Sequence, residues 1–311
     1  MLKVENLVKK YRKFLAVDNI SFEVNAGEIY GFVGANGAGK TTTMMIACGL
    51  LGATSGAVYI NGVDVAKSPR LAKKHIGYMP DFFGVYDDLK VSEYMNFYCG
   101  LHEIPINERQ AIIDSLLELV NLSNKKEFYV DHLSRGMKQR LCLARSLVHD
   151  PSLLILDEPA SGLDPRARVE MREVLMDLKD MGKTVIISSH ILSELAEICT
   201  SIGIIHNGKM VSSGSVMDIQ NQMKHLSKIK VKALTDVTLI RTFLKEQPLV
   251  SQVVLANGLV EFSFSGNDED KYMLLQQLLE NGIKVIHFEE AGGSLESIFM
   301  HITEEGGEAS D

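Results

Sequence analysis

Gly34-Ala-Asn-Gly-Ala-Gly39-Lys40-Thr41 decides the fold of this 311-residue chain. The stretch has the pattern G-x-x-x-x-G-K-[ST]. It stands between a short apolar run, Ile29-Tyr-Gly-Phe-Val33, and a helix start at Lys40-Thr-Thr-Thr-Met-Met-Ile. A strand that turns through glycines into a helix gathers unpaired backbone N–H groups and the positive end of the helix dipole at one point. That point suits phosphate. Gly34, Asn36, Gly37, Ala38, Gly39, Lys40, Thr41 and Thr42 form the expected cradle, with Lys40 reaching the β- and γ-phosphates and the Thr41 hydroxyl binding Mg²⁺. A chance Gly-rich turn with a surface lysine would not need this strand before it and this helix after it.

Further along, Leu153-Leu-Ile-Leu156 runs into Asp157-Glu158. An unbroken apolar strand is buried on both faces, and in a parallel sheet its C-terminal end opens at the ligand crevice. Asp157 is then expected to hold Mg²⁺. Glu158, on the other side by strand alternation, is expected to polarise an attacking water. An ordinary acidic strand end would look the same in isolation; the upstream phosphate loop is what makes the pair informative. Val185-Ile-Ile187 is a second such apolar run, again followed by polar residues and a helical stretch.

These runs predict an α/β domain over residues 1–220. It has a mostly parallel core sheet, an antiparallel β part in the first thirty residues and a mainly helical part over about 82–150. After about residue 220 the texture changes to a small α+β module, expected over 221–303. It has alternation at Ile229, Val231 and Ala233, a helix from Val237 to Glu246, and a hairpin turn at Asn257-Gly258. A helix from Asp268 to Glu280, a strand at Val285–Phe288 and a last helix at Leu295–Ile302 complete it. The acidic tail, 304–311, is expected to be disordered.

Net charge is -8, which disfavours a nucleic-acid partner. Cys48, Cys99, Cys142 and Cys199 form no C-x-x-C pair and read as free thiols of a reducing compartment. The opening Met-Leu-Lys-Val-Glu alternates like a strand rather than a secretory leader, and no apolar run approaches the ~20 residues of a spanning helix. A cytoplasmic protein is expected.

Leu133-Ser134-Arg135-Gly136-Met137 opens a basic helix, and by itself it is a routine N-cap. In order with the phosphate loop, the Asp157-Glu158 strand and a later strand ending in His190, it makes residues 1 to about 220 resemble the nucleotide-binding domains of ATP-binding-cassette (ABC) transporters. The resemblance implies that Tyr11 stacks on adenine and that Ser134 and Gly136 cap the γ-phosphate of ATP on a second subunit. It implies that Ser161-Gly-Leu-Asp164 crosses the interface and that His190 senses the γ-phosphate. A P-loop ATPase, Mg²⁺-dependent and working as a dimer with a second ATP-binding subunit, follows. So does a separate transmembrane permease holding it at the inner face of the membrane. Phe82-Phe-Gly-Val-Tyr86 falls where that family receives a permease helix, although core packing explains the same residues. Ser294-Leu-Glu-Ser-Ile-Phe299-Met resembles the close of accessory domains on ATPases that pair with separate permeases, often exporters.

Two positions depart from the family pattern. Arg135 and Met137 stand where its Leu-Ser-Gly-Gly-Gln signature has Gly and Gln. Asp81, ending Ile76-Gly-Tyr-Met-Pro-Asp81, stands where it has Gln. A carboxylate there can ligate Mg²⁺ but, when ionised, cannot donate a hydrogen bond. Two rival readings stay open: a soluble ATPase of the same family acting on ribosomes or DNA, and a subunit that binds ATP to regulate with little hydrolysis.

Overall fold

The computed structural model describes residues 1–82, 84, 86, 88–223, 227–256 and 259–291. The chain divides into two compact units, Met1–Gly214 and Ser215–Asp311, so the division lies a few residues before the expected 220.

In the first unit, β1 (Leu2–Tyr11) and β2 (Phe14–Val24) form an antiparallel pair, and β3 (Ile29–Val33) leads through the glycine loop into α1 (Lys40–Ala47). Next come β4 (Ser55–Ile60), β5 (Val63–Asp64), α2 (Pro69–Lys73) and β6 (Ile76–Met79). Three helices follow, α3 (Val91–Leu101), α4 (Ile106–Leu119) and α5 (Arg135–Leu147). The unit closes with β7 (Leu153–Asp157), α6 (Pro165–Asp180), β8 (Thr184–Ser189), α7 (Leu192–Ala196), β9 (Ser201–His206) and β10 (Lys209–Ser215).

These strands make two sheets. One has the order β2-β1-β4-β5 and pairs β1 antiparallel with both neighbours. Its register sets Leu2 against Val24 and Ile60, and Val4 against Phe22 and Val58, so alternate side chains share one buried face. The other has the order β10-β9-β3-β8-β7-β6, with β9, β3, β8, β7 and β6 parallel. Every residue of β3, β7 and β8 is buried, as expected for strands covered on both faces. Met44, Ile46 and Ala47 of α1 join one apolar cluster with Leu2, Val4 and Ile60 from the first sheet and Phe32, Ile155 and Ile186 from the second.

Register decides where the chemistry gathers. Val33 pairs with Ser189 and Asp157 with Ser188, so the parallel strands end level with one another. The loops after β3, β7 and β8, bearing the phosphate loop, Glu158 and His190, therefore leave the same edge of the sheet, where ligands bind in open α/β folds.

The second unit holds α8 (Val216–Met223), β11 (Ser227–Ala233), α9 (Val237–Lys245), β12 (Val250–Ala256), β13 (Leu259–Phe264), α10 (Asp268–Glu280) and β14 (Val285–Ala291). From β11 onward the order is β-α-β-β-α-β, folded as a sheet β12-β13-β11-β14. Ile240 and Leu244 of α9 and Leu274 and Leu278 of α10 pack with Ile229, Val231, Val260, Phe262 and Phe264 of the sheet. Asn267 caps α10 through a reciprocal pair with Asp270. The turn at Asn257-Gly258, the helix expected at Leu295–Ile302, the stretch Ser294–Phe299 and the tail 304–311 lie outside the described residues.

Candidate nucleotide site

Two glycines of the loop are obligatory for shape. Gly39 has φ +111, and a Cβ there would fall 2.6 Å from the Ala16 carbonyl oxygen; a Cβ on Gly34 would fall 2.5 Å from that of Ile205. No L side chain fits either place, so the loop must carry its backbone against β2 and β9. The amide of Gly208 donates to the Ala38 carbonyl, and that of Gly34 to the Ser189 carbonyl, fixing the cradle to the sheet edge.

Lys40 is buried beneath this loop. Its ammonium donates to the Gly34 carbonyl at 2.6 Å and lies 3.2 Å from Glu158 Oε1, an ion pair outside hydrogen-bonding geometry. Glu158 Oε2 accepts from His190 Nδ1 at 2.9 Å. An ionised carboxylate only accepts, so Nδ1 carries the proton and Nε2 remains an acceptor when the ring is neutral. Lys40, Glu158 and His190 thus form one continuous chain of contacts.

Strand alternation does not place Glu158. β7 ends at Asp157, and Glu158 has φ +51, in the left-handed region. This turn brings Glu158 back toward the phosphate loop, where it meets Lys40, instead of to the far side of the sheet. Ser188 holds the turn. Its hydroxyl accepts from the Glu158 N–H at 2.9 Å and donates to Asp157 Oδ1 at 2.6 Å. Sequence reading does not single out Ser188; a hydroxyl ending an apolar strand is its only mark.

Asp157 is fully buried, and Oδ2 has no hydrogen-bond partner. Burial pushes its carboxyl above the usual range, the Ser188 and Thr41 hydroxyls pull it down, and the charges of Asp81 and Glu158 push it up again. A buried carboxylate oxygen without a partner, beside a threonine hydroxyl, is a hard-oxygen donor set that fits Mg²⁺. Among the described residues there is no group of three or more His, Cys, Asp or Glu side chains placed to hold a metal.

A cleft of about 230 Å³ opens over these groups. Tyr11, Ala35, Asn36, Gly37, Gly39, Lys40, Thr41, Thr42, Asp81 and Glu158 line it. The Tyr11 ring is half-exposed at its edge, with Lys9 Nζ 5.1 Å from the ring centroid. An aromatic face, a phosphate cradle and a carboxylate therefore succeed one another along one cleft.

Ser134, Gly136 and Asp164 do not line it. They gather where α5 meets α6. Ser134 caps α5 by accepting from the Met137 amide, and Asp164 caps α6 by accepting from that of Ala167. A Cβ on Gly136 would lie 2.7 Å from Ala167 Cβ, so glycine lets the two helix starts approach. Arg135 and Gln139 both donate to the Ser161 carbonyl. Arg135 is thus absorbed into holding the loop Ser161–Asp164. Of Phe82–Tyr86, Phe82 and Tyr86 are exposed, and Tyr86 meets Phe97 edge-on; Phe83 and Val85 lie outside the described residues.

A family model described as "ABC transporter" matches residues 17–161, and one described as "ATP-binding protein DrrA1-3-like, C-terminal domain" matches residues 214–303. The "Uncharacterized ABC transporter ATP-binding protein YxlF" of Bacillus subtilis (strain 168) is 33% identical over 302 residues, 97% of this chain and 99% of that protein. The "Bacitracin transport ATP-binding protein BcrA" of Bacillus licheniformis is 35% identical over 304 residues, 97% of each chain. With the "Probable multidrug ABC transporter ATP-binding protein YbhF" of Escherichia coli (strain K12) the identity is 38%, over 71% of this chain but only 38% of that protein's length. Among solved structures, "Structure of ATP binding subunit of ABC transporter" superposes with a TM-score of 0.65 at 30% identity, covering 72% of this chain and 93% of that one.

Proposed function

This chain belongs to the ATP-binding subunits of ABC transporters, and from that premise we propose that it hydrolyses ATP to drive export through a separate permease. The observation that carries the reading is the unbroken contact chain Lys40–Glu158–His190 at the mouth of the phosphate cradle. The loop amides and Lys40 orient the triphosphate. Glu158, aimed by its left-handed turn and by Ser188, draws a proton from the attacking water, and His190 holds that carboxylate in place. Tyr11 stacks on the adenine. Thr41 and Asp157, with Asp81 nearby, would hold Mg²⁺, which neutralises charge on the phosphates.

Ser134 and Gly136 lie away from their own chain's cleft, which supports their acting on the ATP of a second subunit. In that arrangement two ATP molecules join two subunits, hydrolysis releases them, and the closing and opening moves the permease. Homodimer is the simplest assembly. Among the described residues no helix is long and apolar enough to cross a membrane, which agrees with a subunit held at the cytoplasmic face by its permease. Export, rather than import, rests on the names of the relatives and on the matched C-terminal domain.

Glu158→Gln tests the reading. It should bind ATP, hydrolyse it ~10²-fold more slowly, and accumulate as an ATP-bound dimer in size-exclusion chromatography. Near-normal turnover would remove Glu158 from the reaction. A wild-type protein that binds ATP without turnover would favour the regulatory reading.

A further inference from the structure

His190 begins the segment that carries α7, a helix of only five residues. What fixes this segment is unusual. Between α7 and α6 lies a recess of about 340 Å³, floored by Met171, Leu175, Leu195 and Ile198 and reaching Glu158 and His190. Over such a gap each side loses dispersion contacts, so apolar packing fixes the spacing of the helices weakly. Two ion pairs span the same gap. Arg168 of α6 meets Glu194 of α7 at 2.8 Å, and Arg172 meets Glu197. The second pair is exposed on both sides and contributes little. The first is the more enclosed, with the Glu194 side chain only 23% exposed.

Arg168 has a second attachment. While one arm of its guanidinium meets Glu194, the other donates to the Leu163 carbonyl at 3.4 Å. Leu163 belongs to the loop Ser161–Asp164, ahead of α6. The planar fork of arginine suits such a double contact; the single ammonium of lysine does not. A route therefore runs from the Leu163 carbonyl through Arg168 to Glu194, along the short backbone segment from Glu194 back to His190, whose charges also interact, and from His190 Nδ1 to Glu158.

We propose that Arg168 is a positioning residue that ties the loop Ser161–Asp164 to His190 through Glu194, so that the seating of this loop sets whether His190 holds Glu158 ready. This rests on the reading of Glu158 and His190 given above. A loop displaced from its place pulls Arg168 and, with it, the segment bearing His190. In the dimer proposed above, contact made by a second subunit with the loop of this one is thereby felt at this subunit's own Glu158.

Arg168→Met keeps the aliphatic stem and removes both contacts. Single-turnover ATP hydrolysis by the full-length chain should fall about tenfold, with affinity for trinitrophenyl-ATP unchanged. Glu194→Gln should behave alike. In a His190→Ala background, Arg168→Met should bring no further loss, since the route ends at His190. A wild-type rate in Arg168→Met, or a full additional loss in the His190→Ala background, overturns the proposal. If circular dichroism shows Arg168→Met unfolded, Arg168→Lys replaces it. This variant keeps a charge toward Glu194 without the second arm, so its rate should fall about threefold at unchanged nucleotide affinity; a wild-type rate would again overturn it. Glu158→Gln measured alongside separates the two levels: an active Glu158→Gln sinks the site, whereas an inactive one beside a normal Arg168→Met sinks only the route through Arg168.

Discussion

Ser188→Ala is the most informative single change, because this buried residue joins the Asp157 carboxylate to the Glu158 backbone amide. Its hydroxyl is fully buried, accepts from the Glu158 amide at 2.9 Å and donates to Asp157 Oδ1 at 2.6 Å. Alanine removes both bonds and supplies nothing in return. Loss of a hydrogen bond to a carboxylate costs about 1.5–3 kcal/mol, and loss of a neutral one about 1 kcal/mol. The sum is about 2–4 kcal/mol. For the unit Met1–Gly214, at about 2–4 °C per kcal/mol, Tm should fall by about 4–16 °C. The amide of Glu158 also loses the partner that stabilises its left-handed turn, so turnover should fall by more than nucleotide affinity. Differential scanning fluorimetry in metal-free buffer reads the first effect, and ATPase assays at saturating Mg·ATP read the second. Ser189→Ala, which removes the acceptor for the Ile191 amide, is the control. A Tm shift under about 2 °C, or one no larger than that control's, would refute the view that Ser188 fastens this corner.

Asp157→Asn should raise Tm at pH 7.5 without metal and abolish the rise produced by Mg·ATP. Burial raises the folded carboxyl's pKa, so its destabilising contribution is absent below the unfolded value of 3.8, grows as pH rises and is complete above the folded value; a scan in which Asn lowers Tm at pH 7.5 would contradict this. Gly136→Ala should destabilise the isolated subunit by about 1–3 kcal/mol through overpacking against Ala167, readable in urea unfolding, whereas Ser134→Ala should lose only about 1 kcal/mol as a cap. Ser134→Arg should bind ATP as a monomer but fail to dimerise with it, and an ATP-dependent dimer of that variant would disprove the shared site. Asp81→Gln should need more Mg²⁺ for half-maximal ATPase rate if Asp81 lies in the metal's field, and coincident titrations would take it out of the site.

The phosphate loop was legible in the sequence because its glycines, Lys40 and Thr41 lie directly between an apolar run and a helix start, all within one short stretch. The buried strands β3, β7 and β8 were legible as well, since burial on both faces forces an unbroken apolar run. β9 is harder to read. Its run is interrupted by Gly203, and only the fold explains why: the Tyr30 ring and hydroxyl fill the place where a Cβ would stand. Helix α10 was legible over Asp268–Glu280, and the structure shows its start held by the Asn267–Asp270 capping pair. Local signals of this kind involve residues a few positions apart, so sequence order already contains their geometry.

Tertiary structure decided how the distant pieces meet. Strand alternation sends Glu158 away from Asp157, but the left-handed turn after β7 brings it to Lys40, more than a hundred positions earlier. The link from Asp157 through Ser188 to the Glu158 amide exists because β7 and β8 run parallel in one register. Arg168 and Glu194 face each other because α6 and α7 line one recess, and nothing in their spacing announces it. The sequence by itself determined which residues can cradle phosphate, bind a hard cation and end a buried strand, since those depend on side-chain chemistry and local backbone freedom. Which carboxylate faces the cleft, which hydroxyl fastens its turn and which arginine meets Glu194 depend on strand register and helix packing, and those are fixed only when the whole core closes.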